Sequence, residues 1–335
     1  MIDITDEALL RVENLKKWFP VRRSIIDALL ARKELFIKAV DGVSFEIGTG
    51  EIFGLAGESG SGKTTVGKTI LGLYEPTDGS VCFKGTELFG LSKRKMKEMR
   101  RKLQTIYQDP YESLDPRMTV LDIVSEPLVV HGIGRSREER EEMATQALED
   151  VEMSPPEEFL KRYPHELSGG QRQRVAVARA LVLGPEFIVA DEPVSMLDVS
   201  IRAEVLNLML KLRKVSGISF LFIAHDLALA KHVCDRLAIM YLGKIVDVGP
   251  TEDVVNTHVH PYTEALIAAV PVPDPAAERT KVIIGGEIPS PMNPPSGCRF
   301  HPRCPISLDI CREKDPELIE VSDSHLVACH VRARK

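Results

Sequence analysis

Residues 57–64 read Gly57-Glu58-Ser59-Gly60-Ser61-Gly62-Lys63-Thr64, which satisfies G-x-x-x-x-G-K-[ST] at every position. Upstream, VSFEIGTGEIFGLAG has the apolar run of a strand; downstream, a helix is expected through Leu73, then a strand on SVCFKG. A glycine-rich turn between strand and helix points backbone N–H groups into the loop, and the helix N-terminus adds partial positive charge. Lys63 is expected to reach the β- and γ-phosphates of a nucleotide and the Thr64 hydroxyl to bind Mg²⁺, with Ser59, Gly60, Ser61, Gly62 and Thr65 completing the phosphate cradle.

After Ser168 the same alternation continues, with a helix expected on Arg172 to Leu183, a strand on Phe187 to Ala190, a helix on Ser200 to Val215 and a strand on Ser219 to Ala224. Strands alternating with helices imply an α/β fold with a largely parallel sheet covered on both faces. Between them, from about Leu91 to Lys161, charged runs such as REEREEMATQALEDV read as a helical insertion. The strand Phe187-Ile188-Val189-Ala190 ends in Asp191-Glu192. There Asp191 suits the Mg²⁺ shell and Glu192 the activation of water as general base. One phosphate loop is present, so a machine with two sites needs a second chain.

The 335 residues are 44% hydrophobic with a formal net charge of −6, a composition for one large or two medium domains rather than a nucleic-acid or anionic-membrane binder. MIDITDEALLRVENL has neither the basic start nor the apolar core of a signal peptide, and no stretch approaches the roughly 20 apolar residues of a spanning helix. The expected location is therefore cytoplasmic, with any membrane association made through another protein.

Between the two nucleotide motifs lies Leu167-Ser168-Gly169-Gly170-Gln171. In sequence and order this resembles the LSGGQ signature of ABC transporter ATPases. The resemblance implies a P-loop NTPase (RecA-like) core on residues 1–90 and 166–250 with an antiparallel N-terminal β part, a helical subdomain on 91–165, and a C-terminal extension on 251–335. It also implies that Ser168, Gly169, Gly170 and Gln171 close on the γ-phosphate held by an opposite cassette. Gln108, in IYQDP, resembles the family's glutamine that senses Mg²⁺ and the attacking water; His225, in FLFIAHD, resembles the switch histidine; Asp198, in SMLD, resembles the aspartate at the cassette interface. In NLKKWFP an aromatic is expected on adenine, and spacing from Leu15 favours Phe19 over Trp18. The stretch from Tyr107 to Val120 is expected to carry the groove for a membrane subunit.

The last tenth of the chain gathers Cys298, Cys304, Cys311 and Cys329, with His301 and His330 beside them. Clustered thiols in a reducing compartment favour a metal over disulfides, and spacing alone leaves iron–sulfur, zinc and unligated thiols open. The extension resembles that of oligopeptide and dipeptide importer ATPases, where C-x5-C-x6-C plus a late Cys is typical and a [4Fe-4S] cluster is known, and DEPVSMLDVSIRAEVLNL looks like the F-type subunit of that group. The resemblance implies ATP and Mg²⁺ as ligands and a D-type paralogue as the second, heterodimeric ATP-binding subunit. It further implies two permease subunits, a solute-binding protein acting indirectly, and a place on the cytoplasmic face of the membrane. Nickel or sugar import within the same group, and a soluble ABC ATPase without a membrane partner, are the competing readings.

Overall fold

A computed structural model describes residues 8–21, 34–109, 113–270 and 285–333. Its contacts divide the chain into two compact units: residues 1–47, 52–89 and 223–335 form one, and residues 48–51 and 90–222 the other.

In the first unit, β1 (Leu10–Pro20), β2 (Phe36–Ile47), β4 (Asp78–Phe83) and β5 (Thr86–Glu87) form an antiparallel sheet in the order β2-β1-β4-β5. This is the expected N-terminal β part. Leu10, Val12 and Leu15 turn one face of β1 into the core, and Phe45 of β2 stacks on Phe53 of β3 (Ile52–Ala56) with centroids 4.9 Å apart. All five residues of β3 are buried, as expected of a strand covered on both faces. It pairs in parallel with β9 (Arg236–Tyr241), from Phe53↔Arg236 to Ala56↔Ile239. Glycine is required at position 54, because a Cβ there would lie 2.7 Å from Leu237 Cδ1 and 2.8 Å from Cys234 Sγ.

Beyond β9 the pairing turns antiparallel, through β10 (Lys244–Pro250), β12 (His325–Val327) and β11 (Ile319–Ser322). The expected largely parallel sheet is therefore mixed, and two of its strands come from the tail. An unpaired β10 edge would expose a row of backbone donors and acceptors, and the tail covers it. A buried polar network fastens this join: Asp247 on β10 accepts from Thr263 Oγ1 at 2.7 Å and pairs with His325 Nε2 at 2.7 Å.

In the second unit, α2 (Lys93–Lys102), α3 (Val120–His131) and α4 (Arg137–Asp150) occupy the stretch read as helical. The same stretch also holds a strand that alternation did not reveal, β6 (Leu103–Ile106), paired in parallel with β7 (Phe187–Asp191). At four residues it is too short to show a period. Helix α5 (Gly169–Leu181) packs against α3 and α4, and α6 (Val199–Ser216) follows β7. Strand β8 (Ser219–Ala224) is buried throughout and runs across the boundary between the units.

Candidate functional site

Two sets of residues, one in each unit, carry the nucleotide chemistry. In the first unit, β3 runs into the loop 57–62 and the loop into helix α1 (Lys63–Ile70). Gly57, Gly60 and Gly62 have φ of 147°, 78° and 108°, in the left-handed region where side chains are strained. At two of them space is also lacking: a Cβ would lie 2.2 Å from Met240 O at position 57 and 2.1 Å from Ala39 O at position 62. The loop thus wraps a buried ammonium. Lys63, 5% exposed, donates from Nζ to Gly57 O at 2.7 Å, Glu58 O at 3.0 Å and Ser61 Oγ at 3.4 Å. Ser59 and Gly60 are exposed at the loop tip, Ser61 is buried, and Thr64 and Thr65 are half-buried on the first turn of α1.

Phe19 meets Tyr74 edge-on at 5.3 Å, with Lys17 Nζ 5.0 Å from the Phe19 centroid. Trp18, on the other face of β1, donates from Nε1 to Asp41 Oδ1 at 3.0 Å. Tyr74 is an aromatic that sequence reasoning missed, since it follows α1 in an irregular segment. His225 is exposed at the end of β8, just before Asp226 caps the following helix by accepting from Ala228 N–H at 2.8 Å.

In the second unit the register of β6 and β7, with Ile106 opposite Ala190, brings the two chain exits side by side. Two residues past each, Gln108 Nε2 donates to Glu192 Oε2 at 2.9 Å. Asp191 ends the strand half-buried, and Glu192 has φ of 48°, a strained conformation for a residue with a side chain.

Helix α5 begins at Gly169, three residues before the expected Arg172, because Ser168 and Gln171 cap it reciprocally. Ser168 Oγ accepts from Gln171 N–H at 3.3 Å, and Gln171 Oε1 accepts from Ser168 N–H at 3.0 Å. Gly170 is buried against Ile201, whose Cγ2 would lie 2.6 Å from an added Cβ, whereas Ser168 is exposed and Gly169 half-exposed. The signature therefore offers a helix N-terminus outward. Asp198 stands at the N-cap position of the next helix without a side-chain capping hydrogen bond and is also exposed, between Met196 (61% exposed) and Val199 (80%). A cleft of about 280 Å³ in this unit is lined by Gln104, Tyr107, Glu126, Val130 and Arg179. Of the groove expected on 107–120, residues 110–112 lie outside the described residues.

Among the described residues no group of three or more His, Cys, Asp or Glu side chains is placed to hold a metal ion, and Cys298, Cys304, Cys311 and Cys329 are free thiols. The chemistry of a four-thiol set is nonetheless present. Burial pushes the Cys298 thiol up to about 12, the Phe300 N–H opposes that, and the charges of Cys311, Cys304 and Cys329 add to it. Burial likewise raises Cys304, with Cys329 and Cys311 adding to the rise. Around these thiols stand residues that spacing did not single out. Arg303 pairs with Glu58 of the phosphate loop, and Arg299 with Asp41.

A strand–loop–helix phosphate cradle, a Gln–Glu pair past neighbouring parallel strands and an outward-facing LSGGQ helix together define an ATP-binding cassette. Comparison with known proteins agrees. The ABC transporter family model matches residues 40–195, and the model described as the oligopeptide/dipeptide transporter C-terminal region matches residues 246–311. Oligopeptide transport ATP-binding protein AppF of Bacillus subtilis (strain 168) is 46% identical over 334 residues, covering 99% of each chain. YkfD of the same organism is 48% identical over 325 residues, covering 96% of this chain and 95% of that protein. The dimeric, post-hydrolysis ATP-binding cassette MJ0796 bound to ADP and Pi is 29% identical, with a TM-score of 0.62 over 72% of this chain and 98% of that one. The chain belongs to the ABC transporter family of ATP-binding proteins, in the group that carries the oligopeptide/dipeptide transporter C-terminal region.

Proposed function

We infer that this chain is the ATP-binding and ATP-hydrolysing subunit of an ABC importer for peptides. The observation that carries the ATPase reading is the buried Lys63 ammonium wrapped by a loop in which Gly57 and Gly62 leave no room for a side chain. The peptide reading is supported by relatives named for oligopeptide transport that match the chain end to end. In the proposed cycle the phosphate loop and Lys63 hold the triphosphate, and Glu192, oriented by Gln108, takes the proton of the attacking water while His225 steadies the γ-phosphate. A hydroxyl on the first helical turn and a carboxylate at a strand end are suitable Mg²⁺ donors. Thr64, Asp191 and Gln108 would hold that ion, which supplies charge neutralisation on the phosphates.

The Ser168–Gln171 helix start, with Ser168 exposed, and the Asp198 turn flanked by Met196 and Val199 form the surface proposed to meet a second cassette, a D-type paralogue. ATP binding then closes the pair and hydrolysis releases it. The cleft beside Tyr107 and Val130 is proposed as the seat of a permease subunit, which places the chain at the cytoplasmic face of the membrane; no described helix is long and apolar enough to cross one. Phe19 is proposed as the adenine contact.

The four tail cysteines, all free thiols gathered near the end of the sequence, are proposed as ligands of a [4Fe-4S] cluster, with zinc as the alternative. Protein purified without oxygen should show absorbance near roughly 400 nm with iron and sulfide; protein with neither iron nor zinc would leave the thiols unligated.

Uptake tests the reading as a whole. A strain lacking this chain should fail to grow on a peptide as sole source of a required amino acid, and Lys63→Ala should not restore growth. Normal uptake of peptide without the chain would refute it.

A further inference from the structure

The segment between the first two tail cysteines is fastened at both ends to the nucleotide-binding half of the first unit. Arg303 Nη1 donates to Glu58 Oε2 at 2.8 Å and Nη2 to Oε1 at 3.1 Å, a two-pronged pair in which the Arg303 side chain is 8% exposed. Glu58 is the second residue of the phosphate loop, and all of its polar groups are spoken for. Its N–H donates to Tyr262 Oη at 2.8 Å, and its carbonyl accepts from Lys63 Nζ at 3.0 Å. Tyr262 is fully buried, edge-on to Tyr241 at 4.7 Å and beside Phe300 at 5.3 Å, so the partner of the Glu58 N–H is itself held by the extension.

The second anchor is parallel to the first. Arg299 donates to Leu242 O and pairs with Asp41, whose other carboxylate oxygen takes the Trp18 indole N–H. The Asp41 N–H donates to Gly243 O at 2.9 Å, and the Gly243 N–H donates to Ser61 O at 2.8 Å, which returns to the phosphate loop. Both arginines flank cysteines of the tail, one directly after Cys298 and one directly before Cys304.

We propose that Arg303 and Arg299 are positioning residues for the nucleotide: acting through Glu58 and Asp41, they strap the C-terminal extension onto the phosphate loop and make nucleotide affinity depend on the tail. The inference rests on the nucleotide-binding reading above. Its physical content is charge as well as shape. Glu58 sets a carboxylate on the loop that receives a polyanion, and Arg303 neutralises it; without that arginine the carboxylate repels the phosphates.

That repulsion separates positioning from mere support of the fold. MgATP affinity would be measured by calorimetry on the full chain, its R303M and R303M/E58Q variants, and Lys63→Ala. R303M is expected to bind MgATP about tenfold more weakly, and R303M/E58Q to regain most of that loss because the unpaired charge is gone. R303M binding within about twofold of the parent, or a double variant no better than R303M, would overturn the proposal. Should R303M fail to fold, R303K keeps the charge but not the fork; it should weaken binding about two- to fivefold, relieved by E58Q, and unchanged affinity would again overturn the proposal. Lys63→Ala distinguishes the two levels: parent binding that Lys63→Ala abolishes upholds the nucleotide reading whatever Arg303 does.

Discussion

Gln108 Nε2 lies 2.9 Å from Glu192 Oε2, a bond made possible because β6 and β7 run parallel in a register that ends both at one edge. A donor on the carboxylate fixes its direction without removing its charge. The proposed base is therefore oriented before water arrives, at the cost of a strained backbone at Glu192.

Replacing Glu192 by Gln keeps the shape and removes the base. MgATP binding should persist while hydrolysis in the assembled transporter falls by about two to four orders of magnitude, leaving the cassettes closed. Normal turnover, read by phosphate release, would take Glu192 out of the chemistry.

Gln108→Ala should lower turnover by about tenfold or more, because it frees the carboxylate and removes one proposed Mg²⁺ donor, with a smaller loss of MgATP affinity since Thr64 and Asp191 remain. The diagnostic is the split between kcat and KM; a rise in KM alone would make Gln108 a binding residue.

Gly62→Ala combines a strained φ of 108° with a Cβ placed 2.1 Å from Ala39 O. The loop must shift, so nucleotide binding should be lost along with about 1–3 kcal/mol of stability. Gly60→Ala is the comparison, since its Cβ meets nothing within 4 Å and only the φ of 78° opposes it. Urea midpoints and nucleotide titration of the two variants should rank in that order.

His260 gives the stability of the extension a pH dependence. Burial and the nearby Arg332 pull its imidazole down to about 3, against a backbone hydrogen bond at Ala328 that works the other way, and its Nδ1 accepts from Tyr262 N–H at 3.1 Å. The folded state holds the neutral ring, so its contribution is complete above the unfolded value near 6.5 and is lost as pH falls from there towards 3. The slope is at most about 1.4 kcal/mol per pH unit. Denaturation midpoints at pH 7 and pH 5 should differ in the parent and differ less in His260→Asn.

Much of this was legible in the chain because its motifs are local. The residues 57–64 place their own loop and helix, and the apolar runs of β3, β7 and β8 announce buried strands without help from the rest of the fold. Ser168 and Gln171 even contain the cap that moves the start of α5 three residues ahead of the expected helix. What stayed hidden is what depends on pairing at a distance. Strand β6 has four residues and no period of its own, and β11 and β12 exist because β10 has an edge to cover. Arg303 and Arg299 lie 245 and 258 positions from their carboxylate partners, so nothing in local spacing marks them.

The central claim is that the Lys63 loop binds ATP, and calorimetric titration of MgATP into the full chain and into Lys63→Ala tests it most directly. Saturable binding by the parent, with affinity reduced about a hundredfold or more in Lys63→Ala, is the expected result. No binding by the parent, or equal binding by both, would contradict it.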